Sequence, residues 1–294
     1  AQTTAAPRRP GVVRTRPGVS RTGRPLSASS RFRGLDPERV PMALHALHRS
    51  LSPGQEVHLD FAAVDAEVDQ DTAAGPRGTP PRWPAELLVS VFEGAGFAPV
   101  HTEAPLAGDT GAGPRDRCEL HVRAVRADTL ADTVGPGMRM LLVGLNPSPA
   151  AARSGIPFSG PSNRGWPALA GSGLATAGQD PEALLSHSRV GMTDLVKRTT
   201  ARAAEIDREE FRAGLARLER LCSWLTPAVV CVVGLSGWRV AADRGAGPGL
   251  QDATLGGSPV WLMPNPSGLN THVGLPELVA HLRGAAELAD AQLR

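Results

Sequence analysis

A chain of 294 residues accommodates one large domain or two small ones. Its 41% hydrophobic and 20% charged content is that of an ordinary globular protein, and a net charge of +2 points by itself to no class of partner. No apolar run approaches the roughly 18 residues a membrane span needs, and no basic n-region followed by an apolar h-region opens the chain, so a cytoplasmic protein without membrane contact is expected. Three cysteines, Cys118, Cys222 and Cys231, lie far apart with no C-x-x-C spacing. Such a set argues against a disulfide framework, a zinc site or an iron–sulfur cluster, so inert thiols and no metal are expected. The first residue is Ala1 rather than Met, as in a processed or truncated product.

Residues 1–33 hold eight arginines and no acid, interleaved with Pro, Gly, Ser and Thr. This stretch has too little apolar surface to order itself and reads as a disordered tail. It either tracks a phosphate backbone or is solvated surface in an arginine-rich chain, in which Lys197 is the only lysine. From 34 to 133 an α/β pattern follows. Residues 36–51 have helical apolar spacing, 52–61 turn into a short alternating strand, and a loop rich in Asp, Gly and Pro runs through Arg82. Residues 83–97 read as a helix stopped by Gly94 and Gly96, 118–129 as a strand, and 133–137 (TVGPG) as a linker.

Beyond the linker, 138–145 (MRMLLVGL) is a buried parallel strand by its unbroken apolar run. Residues 180–187 start a helix with Asp180 as N-cap and Pro181 at the first position. Residues 207–225 are amphipathic, with Phe211, Leu215, Leu218, Leu221 and Cys222 on one stripe and acids in the first turn. A buried strand at 227–234, a short helix after it, a third strand running into a Pro/Gly loop over 258–270 and a terminal helix at 275–294 complete the alternation. The expected fold class is α/β, a three-layer αβα arrangement with a largely parallel central sheet over 137–294. A partial Rossmann-like module precedes it.

Two of these strands end in polar loops, GLNPS (144–148) and NPSGLN (265–270). In open α/β sheets ligands bind at the carboxyl ends of strands, so both loops are candidates for a site. With GIPF (155–158), NRGW (163–166) and GMTDLVKRTT (191–200) between them, residues 137–292 resemble the mismatch-specific uracil/thymine-DNA glycosylase family, within the uracil-DNA glycosylase superfamily. That family carries G-I-N-P-G, G-F-P-F…N-R-x-W, G-V-T-x-L-V and N-P-S-G-L-S in the same order. The resemblance implies a DNA glycosylase of base excision repair. It would act as a monomer on double-stranded DNA with uracil mismatches, nucleoid-associated in the cytoplasm, and with no cofactor.

It also implies roles. Removing a base requires flipping it from the duplex into a pocket. Asn146 would position the attacking water, and Phe158 would stack on the flipped base. Leu145, Ser148, Asn163 and Asp194 would line the pocket. An amide cannot take a proton at neutral pH, so a reaction relying on Asn146 must be mostly dissociative. Leu269 would be the wedge that fills the vacated stack, with Ser267, Gly268 and Asn270 against phosphate. Arg198 and Arg202 are candidate phosphate contacts, and Arg164 pairs internally or touches DNA. Asp194 either assists water or caps a turn, and His272 either reaches phosphate or is solvated. Ser148 stands where the family often has Gly and would crowd a 5-methyl group, favouring uracil over thymine. Asn270 replaces Ser and Thr271 replaces Arg, which puts readout of the opposite strand in question.

Residues 34–133 resemble the later half of a class I S-adenosylmethionine-dependent methyltransferase, on HRSLSPG, a helix ending GAGF and the strand at 118–129. The glycine-rich motif and the acid after the second strand are absent, so this module is expected to be catalytically inactive. Two alternatives to a glycosylase stand: a damage-binding protein that has lost turnover, and a fragment of a methyltransferase fusion.

Overall fold

In a computed structural model of the chain, the described residues are 26–27, 32, 35–62, 83–103, 119–176 and 178–294. Most of the arginine-rich stretch, the loop running to Arg82, and Cys118 lie outside them. The first sheet holds β1 (Leu26–Ser27), β2 (Glu56–Ala62), β3 (Phe97–Glu103) and β4 (Glu119–Arg126) in the order β1-β2-β4-β3. β1 runs parallel to β2, and the remaining pairings are antiparallel. Alternation in β2 buries Val57, Leu59 and Phe61 and leaves Glu56, His58 and Asp60 partly exposed on the other face. Helices α1 (Val40–Ser50) and α2 (Ala85–Gly94) supply Leu44, Leu88 and Phe92 to the same core. Phe92 packs edge-on against both Phe61 and Phe97.

Two parts of the expected tail are ordered. Leu26–Ser27 pair with Val57 and His58, and Phe32 is buried with its ring 5.9 Å from Phe61. Local composition hides this, because the sheet edge and aromatic pocket that order those residues come from residues beyond 55.

The second sheet holds β5 (Met140–Gly144), β6 (Val190–Asp194), β7 (Val230–Val233), β8 (Gly249–Leu255) and β9 (Ser258–Met263) in the order β6-β5-β7-β9-β8. All pairings are parallel except β8 with β9. Successive strand residues face opposite layers. Leu141, Val143, Val230 and Val232 meet α6 (Arg208–Leu225) and α7 (Leu235–Ala241) through Phe211, Leu218, Leu221 and Trp238. Met140, Leu142, Met192 and Cys231 meet the other layer, where α4 (Gly165–Gly171), α5 (Pro181–Ser188) and α8 (Leu275–Gln292) contribute Trp166, Leu169, Leu184, Leu278 and Leu282. This is the three-layer αβα sandwich. Asp180 and Asp207 cap α5 and α6 by accepting the N–H groups of Ala183 and Glu210. Burial pushes the Cys222 and Cys231 thiols up to about 12, so both stay protonated at neutral pH.

Five elements exceed the sequence reading: β3, β6, β8, α4 and α3 (Pro149–Ser154). β6 is a five-residue strand buried throughout despite ending in an acid, and β8 is a largely exposed edge. α3 and α4 span six and seven residues, too few for a helical period to show. The expected linker at 133–137 is also more than a tether. Thr133 exchanges both backbone hydrogen bonds with Met192, extending the sheet beside β6.

The two sheets share a core. Trp83 meets Trp224 edge-on at 5.1 Å, Arg220 donates to Ser90 Oγ at 2.8 Å, and the buried His45 donates through Nδ1 to the Asp132 carbonyl at 2.9 Å. The first module thus covers the outer face of α6. No helix among the described residues is long and apolar enough to cross a membrane.

Candidate active site

A cleft of about 600 Å³ opens at the carboxyl ends of β5, β6, β7 and β9. Leu145, Asn146, Ser148, Phe158, Asn163, Asp194 and the loop from Ser267 to Asn270 all line it, so residues more than 100 positions apart meet there. Arg198 does not.

Asn146 leaves the end of β5 with its amide oriented. Nδ2 donates to Thr200 Oγ1 at 2.8 Å, to the Arg198 carbonyl at 3.1 Å and to the Pro147 carbonyl at 3.2 Å. Those acceptors hold the nitrogen side and leave Oδ1 to accept a hydrogen bond from a water molecule in the cleft. Thr200, buried and itself donating to the Arg202 carbonyl at 2.9 Å, belongs to the site although sequence reading passed over it.

Asp194 ends β6, in register with Gly144 on β5. A Cβ at residue 144 would collide with Asp194 Oδ1, so the glycine makes room for the carboxylate. Burial pushes the Asp194 carboxyl up to about 6, opposed by the Lys197 ammonium, with Asp132 adding to the rise and Arg217 opposing it. Among the described residues no backbone N–H donates to this carboxylate, so the turn-capping role weighed from the sequence has no partner. At pH 7 the group is ionised and faces the same cleft as Asn146.

Phe158 sits at φ 56°, in the left-handed region that bulky residues avoid. Such strain costs about 1–3 kcal/mol and persists where the surroundings over-determine it. Here they do. Trp166 Nε1 donates to the Pro157 carbonyl at 2.7 Å, and a Cβ at Gly165 would lie 2.9 Å from Phe158 Cβ. Asn163 lines the cleft, but its Oδ1 accepts the Gly165 N–H at 2.8 Å. Ser148 is exposed, and its Oγ accepts the Ala151 N–H at 3.2 Å as the cap of α3, which draws the hydroxyl toward the helix.

On the opposite wall the second loop holds itself together. Asn265 Oδ1 accepts the Ser267 N–H at 2.9 Å, and Asn270 Nδ2 donates to the Asn265 carbonyl at 3.0 Å. Arg164 turns inward, as one of its two sequence readings has it. Its guanidinium donates to the carbonyls of Ser267 (3.1 Å), Asn270 (2.7 Å) and Val273. Gly268 lies against Ser162, where any side chain would clash. The loop presents Leu269 95% exposed, the most exposed of the large apolar residues among those described.

Arg198 departs from its expected place on phosphate. Its guanidinium forms a two-pronged pair with Glu210, at 2.6 and 2.8 Å, and donates to the Glu205 carbonyl at 2.6 Å. Arg202 lines the cleft and has no ion-pair partner among the described residues, so it is the cation available at this rim. His272 is exposed just beyond the second loop.

A family model described as the uracil DNA glycosylase superfamily matches residues 131–283. The chain belongs to that superfamily. The match spans β5 to the first half of α8 and so contains both loops and all the residues lining the cleft except Leu130, which reaches it from the connection after β4. Membership supports DNA glycosylase activity, the hydrolysis of a base from its deoxyribose. Among the described residues no group of three or more His, Cys, Asp or Glu is disposed to hold a metal ion.

Proposed function

We propose that the chain excises uracil from DNA, preferentially opposite guanine, as a monofunctional glycosylase that leaves an abasic site. The observation that carries this reading is one cleft holding an oriented amide, an ionised carboxylate and an aromatic plate, with an exposed leucine at its rim. In this mechanism Leu269 enters the stack as the base leaves it, and the flipped uracil rests against Phe158. The C1′–N1 bond breaks with its electron pair on the base. Asn146 Oδ1 and Asp194 hold water below C1′. The water oxygen then bonds to C1′, and its proton passes to Asp194.

The carboxylate alters the expectation formed from Asn146 alone. A proton acceptor is present, and its negative charge also favours the sugar cation as it forms. Preference for uracil over thymine rests on the Ser148 Cβ at the cleft wall. Preference for guanine opposite rests on the family resemblance of the second loop, in which Asn270 and Thr271 depart from the pattern. The sheet of residues 34–133, with one late strand followed by an antiparallel hairpin, supports reading it as the later half of a methyltransferase fold that now serves as a buttress.

The test uses duplexes carrying one G·U, A·U or G·T pair, with alkali to cleave at abasic sites. Wild type is expected to cleave G·U fastest and G·T slowest, and Asn146→Ala to lose activity by about 10² or more. No abasic product from wild type, or undiminished product from Asn146→Ala, would overturn the mechanism. Titration calorimetry with S-adenosylmethionine is expected to give no binding signal.

A further inference from the structure

Thirty of the 31 cationic side chains are arginine, and the single lysine, Lys197, sits behind the cleft between two buried carboxylates. Its Nζ lies 2.7 Å from Asp132 Oδ1 and 3.9 Å from Asp194 Oδ2. The side chains of Lys197, Asp132 and Asp194 are 13%, 4% and 9% exposed, so water screens little of this interaction. The Lys197 carbonyl accepts the Thr129 hydroxyl, which pins that end of the loop to the connection after β4.

The other half of the cluster is equally tied down. Arg217 Nη1 donates to Asp132 Oδ2 at 3.2 Å. Arg217 Nη2 donates to Thr193 Oγ1 at 3.1 Å and to the Asp194 carbonyl at 2.6 Å. Asp132 is held from the first module at both backbone atoms: its N–H donates to the Gly94 carbonyl at 2.8 Å, and its carbonyl accepts from His45. Two cations and two anions thus balance when Asp194 is ionised.

We infer that Lys197 and Asp132 are positioning residues that set when the cleft carboxylate of Asp194 is ionised, and that the first module reaches the chemistry through Asp132. The residue type at 197 fits this role. An ammonium is a compact point charge that can face two carboxylates at once, whereas a planar guanidinium pairs side-on with one. The charged groups facing Asp194 are Lys197 from its own loop, Asp132 from the connection after β4 and Arg217 from α6. β5 contributes only Gly144 and the apolar Leu145 at this point, and the connection adds Leu130. Removing Lys197 takes away attraction for the ionised form and raises the pH at which Asp194 ionises. Removing the Asp132 charge takes away repulsion and lowers it. A purely structural role would not produce shifts of opposite sign.

This inference rests on Asp194 acting as proton acceptor, and the experiment separates the two. Single-turnover rates on a G·U duplex are measured from pH 5 to 9 for the full chain and for Lys197→Met, Asp132→Asn and Asp194→Asn. The acid limb is expected to move up by about one pH unit in Lys197→Met and down in Asp132→Asn, and to vanish with most of the activity in Asp194→Asn. If Asp194→Asn loses its activity while the limbs of the other two variants superimpose on wild type, the inference is overturned and the catalytic reading stands. If Asp194→Asn keeps wild-type rates and limb, the catalytic reading itself falls. Should Lys197→Met fail to fold, the isosteric Asp132→Asn decides alone, and an unmoved or upward-moved limb refutes the inference.

Discussion

Asp194→Asn should cost activity and increase stability in the same molecule. Burial pushes the folded carboxyl up to about 6, against about 3.9 for an ordinary aspartate. A folded value above the unfolded one means that the fold favours the protonated acid. Its contribution is complete below about pH 4 and is lost as pH rises through 6. The difference of just over two pH units corresponds to about 3 kcal/mol at 1.36 kcal/mol per unit. An amide of the same shape never ionises, so the variant should unfold at higher urea concentration than wild type at pH 8. The gain approaches 3 kcal/mol at most and shrinks toward zero near pH 4. Glycosylase rates on a G·U duplex at pH 8 should fall by about 10² to 10⁴, the usual worth of a positioned base. A variant less stable than wild type at pH 8, or a stability difference that does not change with pH, would refute the account of a buried carboxylate held ionised at a cost.

Four further substitutions probe the rest of the cleft and its surroundings. Leu269→Ala should change unfolding stability by under about 0.5 kcal/mol, since the side chain is exposed, yet slow excision from duplex far more than from single-stranded DNA. Ser148→Gly should raise the G·T rate relative to G·U at a stability cost of a few tenths of a kcal/mol from the weakened cap of α3; an unchanged ratio would remove Ser148 from the specificity argument. Arg202→Ala should lower the salt dependence of DNA binding by about one counterion, whereas Arg198→Ala should leave that slope unchanged and instead loosen the start of α6 by freeing Glu210.

The sequence reading picked out residues that line the cleft where a local motif also marks a strand end. Asn146 and the loop at 265–270 both follow apolar runs, and side chains at strand ends converge in a parallel sheet. It failed where partners are supplied from a distance. A basic residue near the motifs suggests a phosphate contact for Arg198, but Glu210, twelve residues on, pairs with it. Thr200 ends the stretch GMTDLVKRTT without being singled out by it, and it meets Asn146 because β5 and β6 pair in parallel. For Asp194, MTDLV by itself favours a turn cap over assistance to water, and burial beside Gly144 and Lys197, with no backbone N–H donor among the described residues, points the other way.

By itself the sequence determined the α/β alternation, the caps at Asp180 and Asp207, and the two loops that carry the superfamily's motifs. Each of these depends on interactions within a few residues, such as helical periodicity, turn chemistry and an N-terminal hydrogen bond. The tertiary structure alone decided the antiparallel edge at β8, the ordering of Leu26–Ser27 and Phe32, and the union of the two modules around one core. It also brought Asp132, Lys197 and Arg217 together behind Asp194. Charge-pair energies depend on separation in space and on how much water lies between, and neither quantity is written in the order of residues along the chain.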